Sequence, residues 1–390
     1  MTKLLIPLAF LFLFSSCDSS EEEVIEVDIE QSAILVQFEN RIDLTNLPNY
    51  ANQEIPSYIS KDNTTTNPIT DNGSILGRVL FYDKNLSIDN TVACASCHQQ
   101  SFGFSDGDIA STGVNGSTGR HSMRLVNARF ADEVNFFWDE RSTSLESQTT
   151  QPIQDHIEMG FSGEEGNDDI SRLFEKLESI DYYNELFTFI YGDTEVNEQR
   201  MQNALGQFIR SIQSFDSKYD LGRAQVNNEN TDFPNFSELE NEGKALFMDR
   251  VDFNNNGVRV GGGIGCNACH RAPEFDIDPR SGNNGIIASL SGGTDTEVTR
   301  SPSLRDLFNT SGEVNGPFMH TGFSEDFEDV LDHYDNIPAA GNGLDRRLNP
   351  MGNTQNLNMT QGEKDAVIAF IKTLTGSDIY SNDKWSDPFN

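Results

Sequence analysis

Five cysteines occur in 390 residues, and four of them stand in two strings of one form, Cys94-Ala95-Ser96-Cys97-His98 and Cys266-Asn267-Ala268-Cys269-His270. The fifth is Cys17. Two disulfides would use the four thiols but leave unexplained the histidine that follows each pair. A zinc site built from two CxxC pairs is usually closer-knit in sequence and needs neither histidine. A thioredoxin-like dithiol needs a preceding strand, and none is evident. Covalent haem accounts for every residue: two thiols form thioethers with the vinyl groups, and the next side chain brings its imidazole under the ring as an iron ligand. The sequence therefore predicts two covalently bound haems of the c type. Cys94, Cys97, Cys266 and Cys269 are the attachment points, and His98 and His270 the proximal ligands.

An internal repeat accompanies the two strings. Gly77-Arg78-Val79-Leu80-Phe81-Tyr82-Asp83 precedes the first, and Gly243-Lys244-Ala245-Leu246-Phe247-Met248-Asp249 precedes the second. Glycine, a base, Leu-Phe and Asp recur in register, so a helix ends shortly before each CxxCH. Met201, Ala204, Leu205, Phe208, Ile209 and Ile212 follow helical spacing, as do Val367, Phe370, Ile371 and Leu374. Thr360 with Glu363 and Ser237 with Glu240 are capping-box signatures. Strand alternation is scarce, and glycine-rich stretches such as 281–293 read as loops. The expected fold class is all-α: two tandem cytochrome c-like haem domains with long loops, the haems supplying much of each core. Residues 224–236 lack periodicity and mark the boundary, giving an N-terminal domain over 47–225 and a C-terminal domain over 236–380.

With 27 Lys and Arg against 62 Asp and Glu, the net charge of −35 excludes a sequence-independent grip on nucleic acid and favours basic or neutral partners. Residues 1–17 read as an export signal: Lys3, the apolar run LLIPLAFLFLF, then Ser15, Ser16 and Cys17. Small residues before a cysteine resemble the lipobox of bacterial lipoproteins. An acidic linker over 18–46 follows, beginning with Asp18-Ser19-Ser20-Glu21-Glu22-Glu23. The expected location is outside the cytoplasm of a Gram-negative bacterium, as a lipid-anchored periplasmic or cell-surface protein.

Several separate strings appear in one order: LGRVLFYDKNLS before the first CASCH, FGFSDG after it, FFWDERSTSLESQTTQPI, IEMG, RSPSLRD, GPFMHTGF and LTG. By these marks the chain, from about Leu47 to Gly376, resembles the bacterial di-haem cytochrome c peroxidase family, which includes the MauG-like enzymes. The resemblance implies a peroxidatic haem at His98 and an electron-transfer haem at His270. It implies Glu158 as the acid/base carboxylate that moves a proton between peroxide oxygens, Gln148 as the amide that orients peroxide, and Trp138 as the electron path between the haems. It implies His320 as a residue holding a haem propionate. Tyr334 stands where electron-transfer members carry methionine and MauG-like members tyrosine, so it is the expected sixth ligand of the second iron, with Met319 and Met351 as alternatives.

Two departures matter. No histidine occurs between His98 and His121 to block the first iron. His121 itself replaces an asparagine of the interdomain calcium site that the resemblance implies, where Asn315 and Pro317 would give backbone oxygens; imidazole is a poor donor for so hard an ion, which argues against calcium. An iron-ligand role for His121 is the lesser alternative. The expected function is hydrogen peroxide reduction to water with electrons from a small donor protein, a cytochrome c or a cupredoxin. The rivals are a MauG-like oxidase acting on a protein partner and a plain di-haem electron carrier, and a homodimer is a further expectation.

Overall fold

Short polar side chains set where the helices begin. Thr70, Ser144, Asn197, Ser237 and Thr360 each accept a backbone N–H at a helix start, and the boxes expected at Ser237/Glu240 and Thr360/Glu363 close in both directions. The computed structural model describes residues 32–132, 135–277, 281–338 and 343–390. The export signal 1–17, Cys17 and the acidic run 18–23 lie outside them. Among the described residues no helix is long and apolar enough to cross a membrane.

The helices are α1 (Ala33–Phe38), α2 (Asp71–Tyr82), α3 (Cys94–Cys97), α4 (Leu145–Gln154), α5 (Ile170–Glu178), α6 (Asp181–Tyr191), α7 (Glu198–Ser211), α8 (Lys218–Arg223), α9 (Glu238–Met248), α10 (Phe327–Asp335) and α11 (Gln361–Lys372). Among the described residues sheet is confined to three antiparallel pairs: β1 (Thr112–Gly113) with β2 (Gly116–Ser117), β3 (Val251–Phe253) with β4 (Arg259–Gly262), and β5 (His270–Arg271) with β6 (Asp276–Ile277). The fold is thus helix-rich with little sheet, and long loops carry much of the chain.

The sequence repeat becomes a repeated helix crossing. In the N-terminal half α2 packs on α7; in the C-terminal half α9 packs on α11. A Cβ at Gly77 would overlap the carbonyl oxygen of Ala204 and stand 2.7 Å from Phe208 Cβ, and one at Gly243 would overlap that of Ala366 and stand 3.0 Å from Phe370 Cβ. Only glycine lets the backbones approach so closely. Beside each crossing a pair of rings meets at 5.2 Å between centroids, Phe81 with Phe208 and Phe247 with Phe370, a separation at which aromatic pairs attract.

Two hydrophobic clusters follow, and their membership corrects the expected boundaries. Tyr219 on α8 is fully buried against Phe233 and Phe275 in the second cluster, so α8 packs with the C-terminal half although the sequence reading ended the N-terminal domain at 225. Within the stretch read as linker to residue 46, described residues pack against the first cluster. Ile34 and Phe38 are buried in the first cluster because their spacing of four puts them on one face of α1, and Ile42, just past the helix, is buried there as well. The chain after 380 also returns to the first cluster: Trp385 is buried there, and the Tyr50 and Tyr82 hydroxyls donate to the Lys384 and Trp385 carbonyls at 2.6 Å.

A buried ion pair in the C-terminal half is reached by a tyrosine of the N-terminal half. Arg305 donates from both Nη atoms to Asp220 at 2.9 Å, and the Tyr58 hydroxyl donates to the same carboxylate at 2.8 Å. Losing one partner of such a pair leaves an uncompensated buried charge and costs about 3–5 kcal/mol.

Candidate active site

The first CxxCH string folds as a single helical turn. Ser96 accepts the Ala93 N–H at 3.0 Å and the His98 N–H closes onto the Cys94 carbonyl at 2.9 Å. Cys97 and His98 thereby line a cavity of about 650 Å³, within the rough 300–1,000 Å³ of small-molecule sites. An adjoining apolar recess is lined by Cys94, Phe81, Val92, Leu205 and Ile209 together with His98. Burial pushes the Cys94 thiol up to about 12 and the Cys97 thiol to about 11. Among the described residues no disulfide joins either pair.

His98 is held in the form a metal needs. Its Nδ1 lies 3.1 Å from the Phe104 carbonyl and 3.1 Å from Ser122 Oγ. Phe104 reaches this position with φ at 59°, after Gly103 at 62°, so the FGF string is a left-handed turn that aims a carbonyl at the imidazole. Burial drives the His98 pKa down to about 4. At neutral pH the ring is therefore uncharged, with Nδ1 engaged and Nε2 the nitrogen left for a metal.

Gln148 on α4 and Glu158 line the same cavity. Glu158 follows a turn in which Asp155 Oδ1 accepts the N–H groups of Ile157 and Glu158 at 2.8 and 3.0 Å. From the other side, the Val114 N–H donates to the Glu158 carbonyl at 3.0 Å. Burial raises the Glu158 carboxyl to about 7, the Asp155 charge adds to the rise, and the Arg141 guanidinium opposes it. A half-buried carboxyl poised near neutrality, beside a neutral imidazole and an amide, is able to accept and return a proton at one place.

The second string forms a 3₁₀ turn, Cys266–Ala268, after Gly265 with φ at 76°. Cys266, Cys269 and His270 line a second cavity of about 550 Å³. His270 Nδ1 lies 2.9 Å from the Pro302 carbonyl, and burial takes its pKa down to about 4. Tyr334 on α10 lines this cavity. Its phenol is held protonated by burial first and by nearby Cys269, Cys266 and Asp345, with Asn284 acting the other way. The alternatives fare differently: Met351 is 73% exposed, and Met319 Sδ receives the Asn284 amide at 3.6 Å. Neither lines the cavity, whereas Met359, which the sequence reading did not single out, does.

Trp138 is buried, its Nε1 donating to the His121 carbonyl at 2.7 Å, and it lines the first cavity. Its ring centroid is 6.1 Å from that of His320. His320 is buried with neither ring nitrogen hydrogen-bonded, 4.0 Å from Asp295, and it lines neither cavity; the structure thus brings it to Trp138. His121 also lines the first cavity, but its Nδ1 is 2.8 Å from the Asp108 carbonyl and its Nε2 3.3 Å from Ser105 Oγ. Both nitrogens are engaged by protein oxygens, which speaks against iron ligation by this residue. At the expected calcium site the Asn315 carbonyl accepts Arg124 Nη2 at 2.6 Å. A guanidinium donating to that oxygen does not fit a calcium ion there.

Two cavities, the first with its adjoining recess, are each lined by a CxxC pair and by a neutral histidine whose Nδ1 is tied back to a backbone carbonyl, an arrangement suited to a redox protein built around two prosthetic groups. The sequence profile described as di-haem cytochrome c peroxidase matches residues 71–228. The chain is 30% identical over 319 residues to the methylamine utilization protein MauG of Methylorubrum extorquens, covering 79% of each chain. It is 26% identical to the cytochrome c551 peroxidase of Nitrosomonas europaea, covering 77% of this chain and 79% of that protein. Among solved structures, a MauG-like protein associated with microbial copper homeostasis superposes with a TM-score of 0.67 at 24% identity, covering 87% of this chain and 99% of the other. This chain belongs to the di-haem cytochrome c peroxidase family, whose cofactors are haems of the c type. The residues present fit that group, with thiols placed for its vinyl groups, uncharged imidazoles for its iron and apolar walls for its ring.

Proposed function

We propose that this protein reduces hydrogen peroxide to water at the cavity of His98, drawing electrons from a small donor protein, a cytochrome c or a cupredoxin, through the cavity of His270 and past Trp138. The observation that carries the reading is Glu158, a carboxyl raised to about 7 that lines the same cavity as His98 and Gln148. A plain electron carrier has no use for such a proton-handling group.

Cys94, Cys97 and His98 would hold a haem, which when bound would supply the redox-active iron for peroxide reduction. The side chains do the rest. Glu158 accepts the proton of one peroxide oxygen and returns it to the departing oxygen, while the Gln148 amide orients the substrate by hydrogen bonding. Two electrons and two protons convert one peroxide into two waters. Trp138 lines the first cavity and packs beside His320, which makes its ring the natural stepping stone between the halves. At the second cavity Cys266, Cys269 and His270 would hold the other haem, and Tyr334, which lines that cavity, would be a further ligand for its iron. The net charge favours a basic or neutral donor, and the leader through Cys17 suits a lipid-anchored protein outside the cytoplasm.

One observation favours a second reading. Tyr334 lines the second cavity, and tyrosine ligation stabilises ferric iron where thioether ligation would raise the potential. That suits a MauG-like oxidase that withdraws electrons from a protein partner. The two readings separate on the haem-loaded protein: peroxide is added with a reduced small cytochrome c or cupredoxin. The proposal expects sustained turnover with two donor electrons used per peroxide. Failure of peroxide to draw electrons from any such donor would remove it and leave the oxidase reading.

A further inference from the structure

Arg300, which opens the RSPSLRD string of the C-terminal half, reaches the wall of the first cavity. Its backbone N–H donates to the Trp138 carbonyl at 2.7 Å, and its guanidinium carbon lies 5.1 Å from the Phe136 ring centroid. The residue is only 6% exposed. Nη1 faces Met123 Sδ at 3.9 Å, a weak acceptor at long range, and Nε and Nη2 have no hydrogen-bond partner among the described residues. Of the other arginines lining this cavity, Arg120 reaches Asp139 and Asp295 at 2.7 Å, Arg141 donates to Asp139 at 2.9 Å, and Arg124 donates from Nη2 to the Asn315 carbonyl at 2.6 Å.

A guanidinium keeps its charge at any physiological pH. Buried without a counter-charge it costs several kcal/mol, so the fold retains it only where an anion arrives from outside the polypeptide. Its planar fork matches a carboxylate, and the group that fits the thiols and imidazole of this cavity carries two. We propose that Arg300 binds a propionate carboxylate of the haem held at Cys94, Cys97 and His98, so that the C-terminal half supplies a positive charge to the cofactor of the N-terminal half. This rests on a haem being seated there. A cation beside the haem favours electron gain, because it offsets the negative charge that reduction adds. Arg300 is thus a positioning residue that raises the potential of the first haem, while its N–H fixes the Trp138 backbone.

The test is a spectroelectrochemical titration of the haem-loaded protein, of Arg300→Gln and of Arg300→Lys, each first checked by mass for two attached haems. The inference expects two haems in all three proteins. In Arg300→Gln one titration step moves to a more negative potential while the other stays, and Arg300→Lys recovers most of the shift. With two haems present, both steps unmoved in Arg300→Gln would overturn it. A raised KM for an anionic substrate with potentials unchanged would overturn it as well, by assigning the guanidinium to an external anion. Absence of haem from the unaltered protein would instead strike the underlying reading. Should Arg300→Gln not fold, folded Arg300→Met with two attached haems takes its place: one titration step moved to a more negative potential would support the inference, and both steps unmoved would overturn it.

Discussion

Glu158→Gln is expected to lower peroxide turnover by roughly 10²–10⁴-fold, the usual contribution of a positioned acid/base group, while leaving both haems attached. The amide keeps the size and polarity of the side chain but cannot take a proton. The pH profile carries the same claim. Burial raises the Glu158 carboxyl to about 7, so below that pH the group is protonated and cannot accept a proton from peroxide. Turnover should therefore rise through about pH 7 in the unaltered protein, and this limb should be missing from the residual activity of the variant. Steady-state rates between pH 5 and 9 check both; full activity in Glu158→Gln would take the carboxyl out of the mechanism.

Gly243→Val and Gly77→Val should each prevent assembly of the half that contains them. At both positions the first carbon of any side chain would overlap a facing backbone carbonyl, so the helices must part. Ordinary overpacking costs about 1–3 kcal/mol; separating the central crossing of a half exceeds that and consumes much of the roughly 5–15 kcal/mol that stabilises a domain. Gly362, on α11 but with open space around it, is the control: Gly362→Ala should be neutral or stabilise by up to about 1 kcal/mol. Denaturant titration of the purified variants distinguishes the two cases, and a near-native midpoint for Gly243→Val would contradict the crossing.

Most of what local sequence controls was legible. The capping boxes at Ser237 and Thr360, the apolar stripes of α7 and α11, and the helix before each CxxCH all depend on residues within a turn or two of one another. Tertiary partners were not legible. The face of Ile34, Phe38 and Ile42 was hidden beside an acidic run, and the chain after 380 has no periodicity to show that Trp385 returns to the first core. Met359 gives no signal in a loop. Arg300 was visible only as a letter in RSPSLRD, since its unpaired guanidinium exists only once the two halves meet. At the site, Glu158, Gln148 and His98 were read from motifs far apart in sequence, and all three line one cavity; His320, by contrast, packs beside Trp138 and lines neither cavity.

The most direct test of the account is the intact mass of the chain matured in a host able to attach c-type haem, with peptide mapping of the attachment points. The account predicts two haems per chain, one on the peptide carrying Cys94 and Cys97 and one on that carrying Cys266 and Cys269. A mature chain bearing fewer than two, or two disulfides in their place, would contradict it.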